Sequence, residues 1–326
     1  MDPRLGTALI VLVGVPAVLV GYIYGTEFLL LRFVPERQRT RARPWLWLLP
    51  ALAFLFIFLV YPTIGTIIRS LQDQAGNTFI GLDNYAWFFG NENALIALRN
   101  NVLWLVLLTL FTVGGGLVIA VLVDRVRYET VAKSVIFVPL AISMVAAGVI
   151  WKFMYAYQQP GQPQTGTVNG VLQAVGINPV PWITVDTLAI NTIALIVVMA
   201  WMWTGFAMVI LSAALKGISP ELLEAARVDG ATEWQVFRRI VFPLLLPTIA
   251  VVSTTVIITA LKAFDIVYVM TGGQFKTTVI AKLMYDEMFS FGDFGRASAI
   301  AVILLVAIIP IMGFNISRFR AQEAIR

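Results

Sequence analysis

The chain has 326 residues, of which 59% are hydrophobic and only 13% charged, with a net charge of +5 and a mean hydropathy of +0.86. A soluble domain carries about 25% charge, so this balance excludes a soluble protein and points to membrane-spanning helices of roughly 20 apolar residues each. No Cys and no His occur, which removes disulfides, thiolate and imidazole chemistry and Cys- or His-bound metals.

Seven membrane helices are predicted, at 8–31, 45–68, 101–123, 132–152, 188–213, 241–262 and 297–317. The first reads as a retained helix rather than a signal peptide. Its apolar run exceeds a typical signal core, no A-x-A-like site follows, and Arg32, Arg37, Arg39, Arg41 and Arg43 come straight after it. Basic residues favour cytoplasmic loops. With the N-terminus outside, the five arginines join Arg125, Arg127, Lys133, Lys216, Arg227, Arg238, Arg239, Arg318, Arg320 and Arg326 on the inner side. That places 15 of the 23 basic residues inside, so the expected topology is N-out, C-in. The excess of positive charge therefore marks loops, and no nucleic-acid partner is expected. The connections 69–100, 153–187 and 263–296 then face out, the middle one carrying the irregular Gln158-Gln159-Pro160-Gly161-Gln162-Pro163.

Between the fifth and sixth helices the oil is interrupted by a charged stretch, ELLEAARVDGATEWQVFRRIVFPLLLP, at residues 221–247. Ser219 is a good N-cap, with Pro220 at the first helical position, and Glu221 and Glu224 favour the start of a helix. Ala225 and Ala226 allow close approach by another surface. Gly230 suits the left-handed residue that ends a helix. Thr232 with Gln235 fits a capping box opening a second helix, in which Trp234, Phe237 and Ile240 recur at helical spacing. The expected shape is a short helix, a sharp turn, and an amphipathic helix at the membrane face. This chemistry is equally compatible with a solvated or interfacial amphipathic element. Pro243 and Pro247 are tolerable once the helix enters the membrane.

Glu224-Ala225-Ala226, Asp229-Gly230-Ala231, Ile240, Pro243 and Pro247 resemble the EAA loop of ABC-importer permeases. That pattern runs EAA, two residues, DGA, five residues, Phe, two residues, Ile, one residue, Leu-Pro. Phe242 stands where the family usually has Leu. Leu48-Leu49-Pro50-Ala51, Tyr61-Pro62, Phe79-Ile80-Gly81-Leu82-Asp83-Asn84-Tyr85, Pro139 to Trp151, Phe264 to Gly273 and Ala297-Ser298-Ala299 are similar to sugar-type permeases of that family. Gly272-Gly273-Gln274-Phe275 replaces the family's frequent Gly-Gly-Gly-Pro, which leaves the form of that turn open.

The resemblance implies an all-α integral membrane fold. Residues 1–44 form an N-terminal helix and basic linker, and 45–326 a six-helix permease domain with its coupling loop at 219–242. It further implies a multi-pass inner-membrane subunit in a lipid bilayer. Its partners would be a second, different permease subunit, two ATP-binding subunits and an extracytoplasmic sugar-binding protein. The chain lacks the phosphate-cradling G-x-x-x-x-G-K-S/T run, so ATP and Mg belong on the partner ATPase, with no catalytic, metal or cofactor site here. Glu224, Ala225, Ala226, Asp229, Gly230 and Ala231 are the implied ATPase contact. Sugars bind on aromatic faces with a few polar groups. In the resembling permeases the helices flanking the loop line the path, making Trp203, Thr204, Phe206, Thr259 and Ala263 candidates. The same motifs occur in glycerol-3-phosphate importers. From other classes, a secondary transporter or a membrane-embedded enzyme remains the contrasting reading.

Overall fold

The computed structural model describes residues 3–124, 126–159 and 161–323. Arg125, Pro160 and Arg326, named above, lie outside the described residues. The chain divides into two compact units, Met1–Thr66 and Ile67–Arg326.

The first unit is a helical hairpin. Helix α1, Pro3–Phe33, is followed after two residues by α2, Glu36–Arg69. Pro35 at the N-cap, with φ −58° and ψ 143°, sets the reversal because a proline ring holds φ and disfavours helix in the residue before it. None of the membrane-length apolar stretch of α2 is buried by the chain itself. A helix apolar on every side and covered by nothing is solvated by lipid or by another chain.

In the second unit the elements follow as α3 (Asp83–Gly90), α4 (Glu92–Val123), α5 (Glu129–Ala141), α6 (Met144–Met154), α7 (Thr167–Ala174), α8 (Ile190–Lys216), α9 (Pro220–Val228), α10 (Glu233–Leu261), α11 (Asp265–Met270), α12 (Ile280–Tyr285) and α13 (Phe294–Glu323). α8 is the axis, and more than half of its membrane window is buried. It can be that central because small residues let its neighbours close in. A Cβ on Gly116 of α4 would lie 2.6 Å from Ala207 Cβ, and one on Gly205 would lie 2.5 Å from Ile136 O of α5.

The expected single helix at 132–152 is corrected: α5 and α6 meet at an angle of 101°. Val138–Ala141 tightens into a 3-10 turn around Pro139. Ile142 and Ser143 are extended, and the Ser143 hydroxyl accepts from Ala146 N at 3.1 Å to start α6 afresh. A proline without an N–H and a new cap one turn later break the ladder at this point. Among the described residues five helices are long and apolar enough to cross a membrane, six if α5 and α6 count as one broken span, against the seven expected. Phe294–Pro310 of α13 is a shorter apolar stretch, and α4 starts earlier than expected, at Glu92, under an Asn91 cap.

At the end of the bundle opposite α9, Thr271–Thr278 makes the turn left open by the sequence. Gly272, Gly273, Phe275 and Lys276 all have positive φ, a conformation that costs non-glycine residues energy unless neighbours hold it. Buried amides do so. Asn100 Nδ2 donates to Lys276 O and Thr278 O, both at 2.8 Å, and Asn191 Nδ2 donates to Phe275 O at 2.6 Å. Asn100→Ala removes both of its bonds and is expected to destabilise the chain by about 1–3 kcal/mol. Hydrogen exchange at residues 274–279 would accelerate; unchanged protection there would show that the loop holds itself.

Candidate functional site

The charged interlude is a stiff two-helix element whose ends are satisfied internally. α8 stops at Gly217, and Pro220 opens α9 three residues later. Ser219 occupies the N-cap position, but its side chain does not cap the backbone. Its hydroxyl donates instead to the Glu221 carboxylate, which with the residue's own N–H holds that carboxyl below its ordinary range. α9 ends in the two-bond pattern of a Schellman motif. Gly230 N donates to Arg227 O and Ala231 N to Ala226 O, both at 3.0 Å, with Gly230 at φ +82°. The capping box of Thr232 and Gln235 is complete. Across the turn Arg227 Nε donates to Glu233 Oε1 at 2.7 Å, and the paired carboxylate raises the guanidinium pKa further.

The second helix is not a separate element lying on the membrane. α10 runs unbroken from Glu233 to Leu261, and a π-helical turn at Phe237–Val241 absorbs the change of face. Near its start the buried positions are Val236, Val241 and Leu245, while Trp234 is exposed and Phe237 and Ile240 are half-buried. Trp234 is exposed and stacks on Phe237 at 5.8 Å. Ala226, Ala231 and Leu223 pack partly against that buried cluster together with Leu215 and Ile218. The outward face of the element therefore carries Glu224, Ala225, Asp229 and Gly230, flanked by the exposed apolar Leu222, Val228 and Trp234.

One link was not anticipated. Lys216, the last residue of α8, pairs with Glu129 of α5 at 2.6 Å. Lys133, one turn further along α5, donates to both Glu129 and Ser212. The end of α8 is thus tied to the broken span just before α9 begins. The Glu129–Lys133 spacing of four residues was the only local hint; Ser212 and Lys216 lie about eighty residues away, beyond local pattern.

The path candidates divide by role. Trp203 and Phe206 meet edge to face at 5.6 Å, and the buried Trp203 Nε1 finds no acceptor among the described residues. Thr204 donates back to Ala200 O at 2.6 Å and faces Gly115. Thr259 likewise donates to Thr255 O at 2.8 Å, and Ala263 is buried in the main core. The indole N–H groups of Trp104 and Trp151 are likewise buried without an acceptor among the described residues, whereas Thr204 and Thr259 have spent their donors on their own helices. At the end opposite α9, a cavity of about 640 Å³ opens among Tyr155, Tyr157, Ile183, Tyr268 and Phe275. Among the described residues no cluster of three or more acidic side chains is placed to hold a metal ion.

The description "binding-protein-dependent transport system inner membrane component" fits residues 112–325. The chain is 53% identical over 281 residues to the osmoprotective compounds uptake permease protein GgtC of Synechocystis, covering 86% of this chain and 100% of that one. It is 47% identical over 275 residues to the alpha-glucoside transport system permease protein AglF of Rhizobium meliloti, covering 84% and 81% of the two chains. A subunit of the bacterial ABC transporter that imports the acidic polysaccharide alginate superposes with a TM-score of 0.73 at 26% identity, over 87% of this chain and 98% of that one. The same importer has been solved with an alginate-bound periplasmic protein.

Proposed function

The chain belongs to the family of binding-protein-dependent transport system inner membrane components, and on that premise we propose that it admits a neutral α-glucoside-type sugar under the control of a separate ATPase. It is a multi-pass inner-membrane permease subunit of an ABC importer and not an enzyme. The observation that supports the coupling role is the exposed, doubly capped element at 219–236. A lever must keep its shape outside the bilayer, and this one is held by a Schellman turn, a capping box and the Arg227–Glu233 pair. Glu224 offers a carboxylate to a basic ATPase residue, and Ala225 lets the surfaces close. Gly230 with Asp229 sets the turn, while Ala226 and Ala231 pass the load inward to the apolar cluster beneath.

The partners proposed are a second permease of different sequence, two ATP-binding subunits holding ATP and Mg, and an extracytoplasmic sugar-binding protein. In this reading the permease domain is residues 45–326, the N-terminus lies outside and the C-terminus inside. Trp203 and Phe206 supply an aromatic face and a free donor to the sugar, with Thr204, Thr259 and Ala263 shaping the wall. Names of relatives support the substrate class: alpha-glucoside for AglF and trehalose/maltose for MalF of Thermococcus litoralis, 30% identical over 285 residues.

The test is reconstitution of the complex with its binding protein, loaded with maltose, trehalose or sucrose. Sugar-stimulated ATP hydrolysis is expected, and Trp203→Ala should reduce it by about tenfold, the loss of one buried aromatic anchor, without loss of the ATPase subunits. Uptake that proceeds with no ATPase present would make the chain a secondary transporter and end this reading.

A further inference from the structure

The basic stretch between the first two helices is used by neither the coupling element nor the path. Arg32, Arg37, Arg39, Arg41 and Arg43 fall within twelve residues that contain a single acid, Glu36. The hairpin contacts fix the depth at which these arginines sit. Arg43 pairs with Glu27, the Tyr22 hydroxyl donates to Leu46 O, and Arg39 donates to Leu31 O and Val34 O, both at 2.8 Å. The first turns of α2 therefore run beside residues 27–33 of α1.

On that part of α1, Phe28, Leu29, Leu31 and Phe33 are each more than half exposed. Apolar side chains so exposed at the end of a membrane span face lipid rather than water. The neighbouring guanidinium groups are consequently held where hydrocarbon meets headgroup. The exposed Trp45 and Trp47 just beyond them on α2 mark the same boundary.

The five arginines are not equivalent. Arg39 caps carbonyls of α1, Arg43 is paired, and Arg32 lies over the rings of Phe28 and Phe33 at 5.8 Å. Arg37 and Arg41 are exposed and have no protein partner among the described residues. Four residues apart, they share one face of α2, about 5–6 Å between Cβ atoms. Two guanidinium forks at that spacing match the oxygens of a phosphate. An anionic headgroup supplies that phosphate without a cation of its own to compete.

We infer that Arg37 and Arg41 form a binding site for the phosphate of an anionic phospholipid, and that this lipid anchors the α1–α2 hairpin. The inference does not depend on the direction of transport or on the sugar.

The test uses the full complex in vesicles with spin-labelled phosphatidylglycerol or phosphatidylcholine at matched ionic strength. The wild type should associate with phosphatidylglycerol about tenfold or more over phosphatidylcholine, as two surface basic residues allow. Arg37→Gln with Arg41→Gln should bring the ratio near one at an unchanged melting temperature. Arg37→Lys with Arg41→Lys should retain part of the preference, since charge survives and the fork does not. No preference in the wild type, or an undiminished preference in the double glutamine variant, overturns the proposal. Inorganic phosphate binding to the complex in detergent as tightly as phosphatidylglycerol, and lost in the double glutamine variant, would also overturn it, assigning the site to a free anion. If the double variant melts early, the lysine pair decides: it keeps the fold, and equal association with both lipids would then count against the site.

Discussion

Gly116→Ala is expected to lower the melting temperature of the purified chain by several degrees, while Gly115→Ala leaves it unchanged or raises it slightly. The two glycines are adjacent on α4, yet they meet different surroundings. An added Cβ at Gly116 would sit 2.6 Å from Ala207 Cβ, 2.9 Å from Met208 N and 3.1 Å from Ala207 C. Two of those atoms are backbone of the central helix, so relief requires α4 and α8 to separate. Overpacking of this kind costs about 1–3 kcal/mol and more where backbone must move, and no repacking of a flexible side chain is available to soften it. At Gly115 the nearest atom is Thr204 Cγ2 at 3.7 Å, an ordinary contact. There alanine gains roughly 0.5–1 kcal/mol of helix propensity. Gly205→Ala should behave like Gly116→Ala, because its Cβ would meet Ile136 O at 2.5 Å and Phe137 Cα at 2.7 Å. Thermal unfolding in detergent, followed by tryptophan fluorescence, separates the three variants. Equal melting of Gly115→Ala and Gly116→Ala would mean that α4 and α8 do not cross as closely as described.

Gly230→Val is the second large effect, and it falls on coupling rather than on folding. Nothing lies within 4 Å of an added Cβ at Gly230, so the penalty is not steric crowding. It comes from φ +82°, which costs an ordinary residue roughly 1–2 kcal/mol and a β-branched one at the upper end. Relief of that strain breaks the bonds from Gly230 N to Arg227 O and from Ala231 N to Ala226 O, and α9 then no longer holds its angle to α10. The expected result is a fall of about tenfold in sugar-stimulated ATP hydrolysis, equivalent to ~1.4 kcal/mol, with the transmembrane core still folded. Gly230→Asn should lose much less, since Asn adopts the left-handed region more readily. Unchanged stimulation in the valine variant, with the ATPase subunits still bound, would remove this turn from the coupling role proposed for it.

Much of this loop was legible in the sequence because its determinants lie within a few residues of one another. The glycine at the end of α9, the Thr232–Gln235 box and the proline opening α9 are each set by contacts no longer than one turn. Ser219 shows where local reading stops. It stands at the expected position, but its hydroxyl is turned to donate to the Glu221 carboxylate and accepts no N–H of the first turn, an orientation that a capping preference does not specify. The face of α10 that packs near its start was likewise not given by the repeat of Trp234, Phe237 and Ile240. Val236, Val241 and Leu245 pack together across the π-helical turn at Phe237–Val241, which inserts an extra residue into the helical period, so a regular spacing of three or four does not connect them.

Sequence by itself determined that this is an α-helical membrane protein, where most of its long apolar helices lie, and that a rigid, charged element projects between α8 and α10. Apolar run length, charge content and capping chemistry act over short stretches of chain, which is why they can be read without coordinates. Tertiary structure decided the 101° break between α5 and α6, the tie of Lys216 to Glu129, and the hold of Asn100 and Asn191 on a loop of left-handed residues. Of these, the tie and the loop join groups about 80 to 180 residues apart, and the break sets the direction of a whole helix. Such choices are made by packing around α8, where the absence of a single methyl group at Gly116 or Gly205 sets how closely the helices approach.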